Sequence, residues 1–273
     1  MTSAAQSTPA GRVAGHPFSD SVAVVTGASR GIGRAIACEL ASRGACVVAA
    51  ARNSTELEAV VAEIMEQGGR ALPVRCDIAV EDDVDRLAEE TLSAFGPASI
   101  LVNSAGVYRV AAFLDAGMDD FRLVMEVNYF ATVRTIRAFL PAMVSAGYGR
   151  IVNIASTAGK YGSRNQSMYN ASKHAVVGLT RSLGLELSRT GVRVNAVCPG
   201  YVDTPMLRGA LPDLALVNGV SENEALDAAI AAVPIGRLIR ADEVGHLAVY
   251  LASEQADGVT GQAYTIAGGQ ILI

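Results

Sequence analysis

Metal and disulfide chemistry have little to work with in this chain. It holds four cysteines and three histidines in 273 residues. Cys38, Cys46, Cys76 and Cys198 stand far apart, form no CxxC pair and cluster with no histidine, so no metal site and no disulfide framework is expected. Each cysteine falls in a strand-like or helix-like run, where a free thiol serves as a small apolar residue. Reduced thiols fit a cytoplasmic location. Charge is sparse as well. Charged residues make up 18% of the chain, the formal net charge is -5 and there is no block of Lys or Arg, so neither nucleic acid nor a membrane is an expected partner. No uninterrupted apolar run reaches the roughly 20 residues that span a bilayer. The opening residues are rich in Ala, Ser, Gly and Pro and lack the basic start and apolar run of a secretory signal, so residues 1–20 read as a flexible arm.

Apolar residues are plentiful, at 51%, enough for a sizeable core. Short apolar runs at 22–26, 45–51, 71–76, 100–103, 150–155, 193–198 and 263–266 alternate with amphipathic stretches at 31–43, 54–67, 80–95, 119–144, 167–190 and 241–253. Asn53 or Ser54 is the N-cap candidate of the second stretch. Runs that are apolar on both faces mark a buried parallel sheet. Their alternation with helices implies right-handed crossovers. The expected fold is one α/β domain over 21–273, a seven-stranded parallel sheet with helices on both faces. Segment 203–240 breaks the rhythm. It is long, holds three prolines and one helical patch at 222–232, and reads as a substrate lid.

The first strand runs directly into Gly27, Gly31 and Gly33 (VAVVTGASRGIG), and a helix follows at once. Glycines permit a tight turn and a close approach of backbone to a pyrophosphate. The helix N-terminus presents free N–H groups and partial positive charge. Strand, glycine loop and helix in this order predict a Rossmann dinucleotide site. The second strand ends Ala51-Arg52, with no carboxylate where an NAD enzyme usually holds its ribose 2′-OH. Arg52, with Arg30 in the glycine loop, offers charge and forked hydrogen bonds to a 2′-phosphate instead. NADP(H) is the expected cofactor.

YNASK sets Tyr169 and Lys173 four apart, on one helix face. A neighbouring ammonium favours tyrosinate, so the phenol is expected to titrate below its ordinary ~10. Ser156 follows the strand-like RIVNIA, thirteen residues before Tyr169, and its hydroxyl can polarise a carbonyl while the phenol supplies a proton. His174, beside Lys173, points elsewhere one helical step on. His16 and His246 have no partners in sequence.

The TGxxxGxG loop, NSAG at 103–106, Asn128 in MEVNYF, Ser156 and YNASK together resemble the short-chain dehydrogenase/reductase family, from about residue 21 to the end. The resemblance implies hydride transfer between NADP(H) and a small-molecule carbonyl or alcohol. Tyr169 would be the general acid in reduction and the base in oxidation. Lys173 would tune it and hold the nicotinamide ribose, Ser156 would orient the carbonyl and Asn128 would support a proton relay. Ser29 and Ile32 would join the glycine loop in binding the cofactor, together with Tyr169 and Lys173 themselves. Asp77 and Ile78 would meet the adenine, and Asn103, Ala105 and Gly106 would line the nucleotide. Pro199 and Gly200 would form the turn beside the nicotinamide, with Val202 and Thr204 reaching its carboxamide. Two positions depart from the pattern: Ser104 replaces the second Asn of the usual NNAG, and Ala267 stands where an acid is frequent. The C-terminal end is expected at the interface of a homotetramer or homodimer. Residues 149–237 are similar to ketoreductases of aromatic polyketide synthesis and to 3-oxoacyl-thioester reductases, and less so to 3-hydroxybutyrate dehydrogenases. The implied reaction is NADPH-dependent reduction of a 3-oxoacyl thioester or a polyketide-like or cyclic ketone. Segments 107–113, 157–168 and 203–240 would form its wall. The alternative is a catabolic NAD(P)-dependent secondary-alcohol dehydrogenase. A nucleotide-binding regulator without chemistry is disfavoured, because Tyr169 and Lys173 are both kept.

Overall fold

Seven strands build the sheet: β1 (Val22–Thr26), β2 (Cys46–Ala51), β3 (Arg70–Arg75), β4 (Ile100–Asn103), β5 (Gly149–Ile154), β6 (Val192–Pro199) and β7 (Ala263–Ile266). The computed structural model describes residues 17–272. The strand order is β3-β2-β1-β4-β5-β6-β7, and every pairing is parallel. Between them run α1 (Gly31–Ser42), α2 (Ser54–Glu66), α3 (Glu81–Phe95), α4 (Met118–Met125), α5 (Ala131–Ala146), α6 (Ser167–Glu186), α7 (Pro205–Asn218), α8 (Glu222–Ala231) and α9 (Ala241–Ala252). This is the seven-stranded parallel Rossmann-type fold that the hydrophobic pattern implied.

The strand sequences explain the layering. In β1 and β2, Ala23, Val25, Val47 and Ala49 pack with Ile36, Leu40, Leu57 and Val249, so α1, α2 and α9 cover one face. The alternate residues Val24, Val48 and Ala50 pack with Val84, Leu87, Ile136 and Phe139, so α3 and α5 cover the other. α6 joins that second layer, setting Val176 and Val177 on Ala196 and Cys198 of β6. A strand covered on both faces has no polar side to show, hence the unbroken apolar runs.

Four expectations meet a different structure. The helix expected at 119–144 is interrupted by a π-helical turn at residues 126–130, which separates α4 from α5 and carries Asn128. A π-turn holds an extra residue that the 3.6-residue pattern does not register. The last expected helix turn before β6 is missing, since α6 stops at Glu186. Segment 203–240 folds two helices rather than one patch. α7 opens on Thr204, whose hydroxyl accepts from Leu207 N–H at 3.4 Å, and it runs through Pro212. Pro212 lacks an N–H and reads in sequence as a break. The arm expected over 1–20 lies outside the described residues as far as 16. Residues 17–20 form a turn held by Phe18, which is buried and donates its N–H to the Arg43 carbonyl at 3.1 Å.

Away from the strand C-termini, Arg150 is almost fully buried in β5. Its guanidinium donates to the carbonyls of Gly149 (2.9 Å) and Gly191 (3.2 Å) and to Asp257 (2.9 Å), and it lies 4.3 Å from the Tyr148 ring centre. Arg150→Met takes the guanidinium donor from the Gly149 and Gly191 carbonyls and from that of Ser253 (3.5 Å). Each buried unpaired acceptor costs about 1 kcal/mol or more, so a loss of about 2 kcal/mol and a thermal midpoint about 5 °C lower are expected. Calorimetry of the variant checks this.

Candidate active site

The chain leaves β1 toward one edge of the sheet and leaves β4 toward the other. The crevice between their carboxyl ends is where open α/β sheets bind ligands. A cleft of about 620 Å³ opens there. Gly27 has φ +67°, and a Cβ on it would lie 2.8 Å from Ala105 Cα; a Cβ on Gly33 would lie 2.2 Å from the Gly27 carbonyl oxygen. Only glycine lets the loop close so tightly. The Thr26 hydroxyl accepts from the N–H groups of Ser104 (3.1 Å) and Ala105 (3.2 Å), tying the loop after β4 to the end of β1.

α1 begins without a side-chain cap and without an acid in its first turn. α3 has three acids there, and α8 has a full capping box. The N-terminal N–H groups of α1 are thus left for a ligand. Arg30 and Arg52 are exposed on the cleft wall and make no ion pair among the described residues. Ser29, Gly31, Ile32, Asp77 and Ile78 share this wall, as does Glu56. The Asp77 carboxylate accepts from Ala79 N–H at 3.1 Å. The combination suits an extended anionic ligand. Ala105 and Gly106 reach the wall, but Asn103 does not. Its buried amide donates to Asn153 (2.9 Å) and accepts from Thr135 (2.7 Å) beneath the loop. From there it braces the strands that carry the loop.

At the far end, β5 delivers Ser156 and α6 delivers Tyr169 and Lys173. The Tyr169 phenol is hydrogen-bonded to Ser156, whose hydroxyl also accepts from Ala158 N–H at 3.1 Å. Tyr108 meets the Tyr169 ring edge to face, with centres 4.7 Å apart. Lys173 Nζ donates to the Ile154 carbonyl at 2.9 Å and lies 5.7 Å from the Tyr169 ring centre. Asn128 sits behind this wall. Its amide accepts from Val107 N–H (2.8 Å) and donates to the Val107 carbonyl (3.0 Å) and to Ser172 (3.0 Å). Pro199, Gly200, Val202 and Thr204 close the cleft from β6.

The titration of the pair departs from expectation. Burial pushes the Tyr169 phenol up to about 12, with the Ser156 hydrogen bond pulling part of the way back. Burial pushes the Lys173 ammonium down to about 8. Loss of hydration outweighs the attraction that the YxxxK spacing suggested, and the ammonium is turned to the Ile154 carbonyl. A phenol that keeps its proton is the form a general acid needs.

His174 is exposed and hydrogen-bonds back to Asn170 at 2.9 Å. His246 faces Glu39 at 3.9 Å on α9. His16 lies outside the described residues. Among the described residues no group of His, Cys, Asp and Glu could hold a metal ion, and no helix is long and apolar enough to cross a membrane. Sequence reading missed Gln270 and Tyr201 as parts of the cleft. Tyr201 follows the Pro199-Gly200 turn and could have been inferred from it; no local signal points to Gln270.

The sequence model of the short chain dehydrogenases matches residues 21–215. The chain belongs to the short chain dehydrogenase family. Several relatives of this dehydrogenase match over nearly their whole length. A 3-oxoacyl-[acyl-carrier-protein] reductase of Synechocystis is 37% identical, over 92% of this chain and 97% of the relative. A D-beta-hydroxybutyrate dehydrogenase of Rhizobium meliloti is 36% identical, over 90% and 97%. A crystal structure of an actinorhodin polyketide ketoreductase variant with NADPH superposes with a TM-score of 0.89 at 40% identity, covering 92% of this chain and 97% of that one. The dehydrogenase is therefore an oxidoreductase acting between keto and hydroxy groups.

Proposed function

We propose that the enzyme is an NADPH-dependent ketoreductase whose substrate is a 3-oxoacyl thioester or a polyketide-like or cyclic ketone. The observation that carries the reading is Tyr169 set against Ser156 at one end of a cleft whose other end carries Arg30 and Arg52. The glycine cradle, the uncapped α1 and the two arginines fit NADP(H), with Asp77 and Ile78 on the adenine side and Pro199, Gly200, Val202 and Thr204 on the nicotinamide side. Bound there, the cofactor supplies the hydride. Tyr169 gives its proton to the carbonyl oxygen, and Ser156 donates a hydrogen bond to the same oxygen. Lys173 keeps positive charge beside the phenol at neutral pH and holds the cofactor ribose. Asn128 fixes Val107 and supports proton supply to Lys173. α7 and α8 act as the substrate lid. The relatives include a reductase of carrier-bound 3-oxoacyl groups, a polyketide ketoreductase and a hydroxybutyrate dehydrogenase. The first two favour reduction. We place the enzyme in the cytoplasm as a homotetramer or homodimer, a state that light scattering of the purified protein decides.

Arg52→Ala tests the cofactor. Loss of one charge-assisted contact costs about 1.5–3 kcal/mol, so kcat/KM for NADPH should fall by about tenfold or more, with that for NADH spared. A wild-type enzyme that prefers NADH would instead favour the secondary-alcohol dehydrogenase.

The titration of Tyr169 gives a second test. Between pH 5 and 7, below the Lys173 midpoint at about 8, the ammonium stays charged and the phenol, at about 12, stays protonated, so the reduction rate should be flat. The tyrosinate fraction rises tenfold per pH unit, so alcohol oxidation should rise about tenfold per unit over the same window. Initial rates in both directions check this; a reduction rate that falls through this window would contradict it.

A further inference from the structure

One hydrogen bond inside the cleft belongs to none of the roles above. The chain turns sharply after β7, through Gly268 (φ 57°) and Gly269 (φ 88°), and the N–H of Gln270 donates to the Ala267 carbonyl at 3.0 Å. This turn sends the Gln270 side chain back over the cleft. A Cβ on Gly200 would lie 2.4 Å from Gln270 Oε1, so the bare Gly200 backbone leaves room for the amide. Nε2 of that amide donates to the Tyr161 hydroxyl oxygen at 3.3 Å. Oε1 is buried and has no partner. Gln270 and Tyr161 both line the cleft. Tyr161 lies on the stretch between Ser156 and Tyr169, and Tyr201 stands close to it.

A phenol has one proton to give and an oxygen that can accept. An N–H aimed at that oxygen leaves the proton of Tyr161 to be directed away from Gln270. We propose that Gln270 is a positioning residue: it turns the Tyr161 O–H into the cleft, where that O–H binds a second oxygen on a substrate whose first oxygen takes the proton of Tyr169. The proposal rests on the ketoreductase reading and narrows it to substrates with two oxygens, such as dicarbonyls and hydroxy ketones. A site with such a donor penalises a ligand that lacks the matching acceptor.

Three single variants, one double variant and two substrates test it. The substrates are acetoacetyl-N-acetylcysteamine, whose ketone has a thioester carbonyl two carbons away, and 1-decalone, whose ketone is its only oxygen. Gln270→Glu keeps the shape but can only accept, so it draws the Tyr161 proton toward itself. Tyr161→Phe removes the proton. Each should raise KM for the thioester by about tenfold, the value of one hydrogen bond to a neutral partner. The kcat for the thioester and both constants for 1-decalone should stay within about twofold. The double variant should be no worse than either single one. Gln270→Leu should match Gln270→Glu. A Gln270→Glu enzyme that behaves as wild type, with or without damage in Gln270→Leu, overturns the proposal, because the amide then only packs or stands the other way round. Equal losses on both substrates also overturn it, because they show a structural role. Tyr161→Phe decides the question independently if the Gln270 variants fold poorly. A wild-type enzyme inert toward both substrates sinks the ketoreductase reading and the proposal with it; an active wild type with an indifferent Tyr161→Phe sinks the proposal alone.

Discussion

Tyr169→Phe should lower kcat for ketone reduction by about 10³-fold and leave the affinity for NADPH within about threefold. The substitution deletes one oxygen. The ring keeps its edge-to-face contact with Tyr108 and its place in α6, so folding and the cleft wall persist. What disappears is the proton source for the nascent alkoxide. Ser156 stays but offers only a hydrogen bond, so Ser156→Ala should cost about 10². Single-turnover kinetics with cofactor titration separate binding from chemistry. A Tyr169→Phe enzyme that keeps wild-type kcat would remove the phenol from the mechanism.

Gly33→Ala should weaken NADPH binding by about 100-fold or more, the largest effect expected from adding a single methyl group. The new Cβ would fall 2.2 Å from the Gly27 carbonyl oxygen and 2.7 Å from its carbon. Both are backbone atoms, which cannot swing away as a side-chain tip can. The glycine loop must move, and Gly27 packs so closely on the next loop that a Cβ on it would fall 2.8 Å from the Ala105 backbone. A displaced loop loses several charge-assisted phosphate contacts, each worth about 1.5–3 kcal/mol. Gly178→Ala is the matched control. It lies in α6 with nothing within 4 Å of the added carbon, so it should be neutral for binding and raise stability by about 0.5–1 kcal/mol. Cofactor fluorescence titration and chemical denaturation read the two effects. Equal binding by both variants would contradict the loop geometry.

Local chemistry explains which parts of this enzyme could be read ahead. The sheet was legible because β1, β2, β4 and β6 are covered on both faces, so their apolar runs are unbroken. The glycine loop was legible because its spacing answers to a single backbone requirement. Lys173 and Tyr169 were legible as a pair, yet the sign of the phenol shift was not, because spacing carries no measure of how much water burial removes. The bonds that hold the Asn103 side chain were not legible, because its partners Asn153 and Thr135 lie fifty and thirty-two residues away. Pro212 hid α7, and the π-turn hid the break before α5. Gln270 was invisible for a plainer reason: only the fold brings residue 270 to residue 161.

The π-turn at 126–130 sets the phase between two helices. Each residue of a helix advances the face by about 100°, and with the chain at its present length Val124 before the turn and Thr135 after it are both buried. Loss of one residue there would leave the helix longer and smoother but turned by about 100° on one side. Either the buried face of α4 or that of α5 would then look into water, and Asn128 would lose its grip on Val107. In this stretch a more ideal helix makes a worse enzyme.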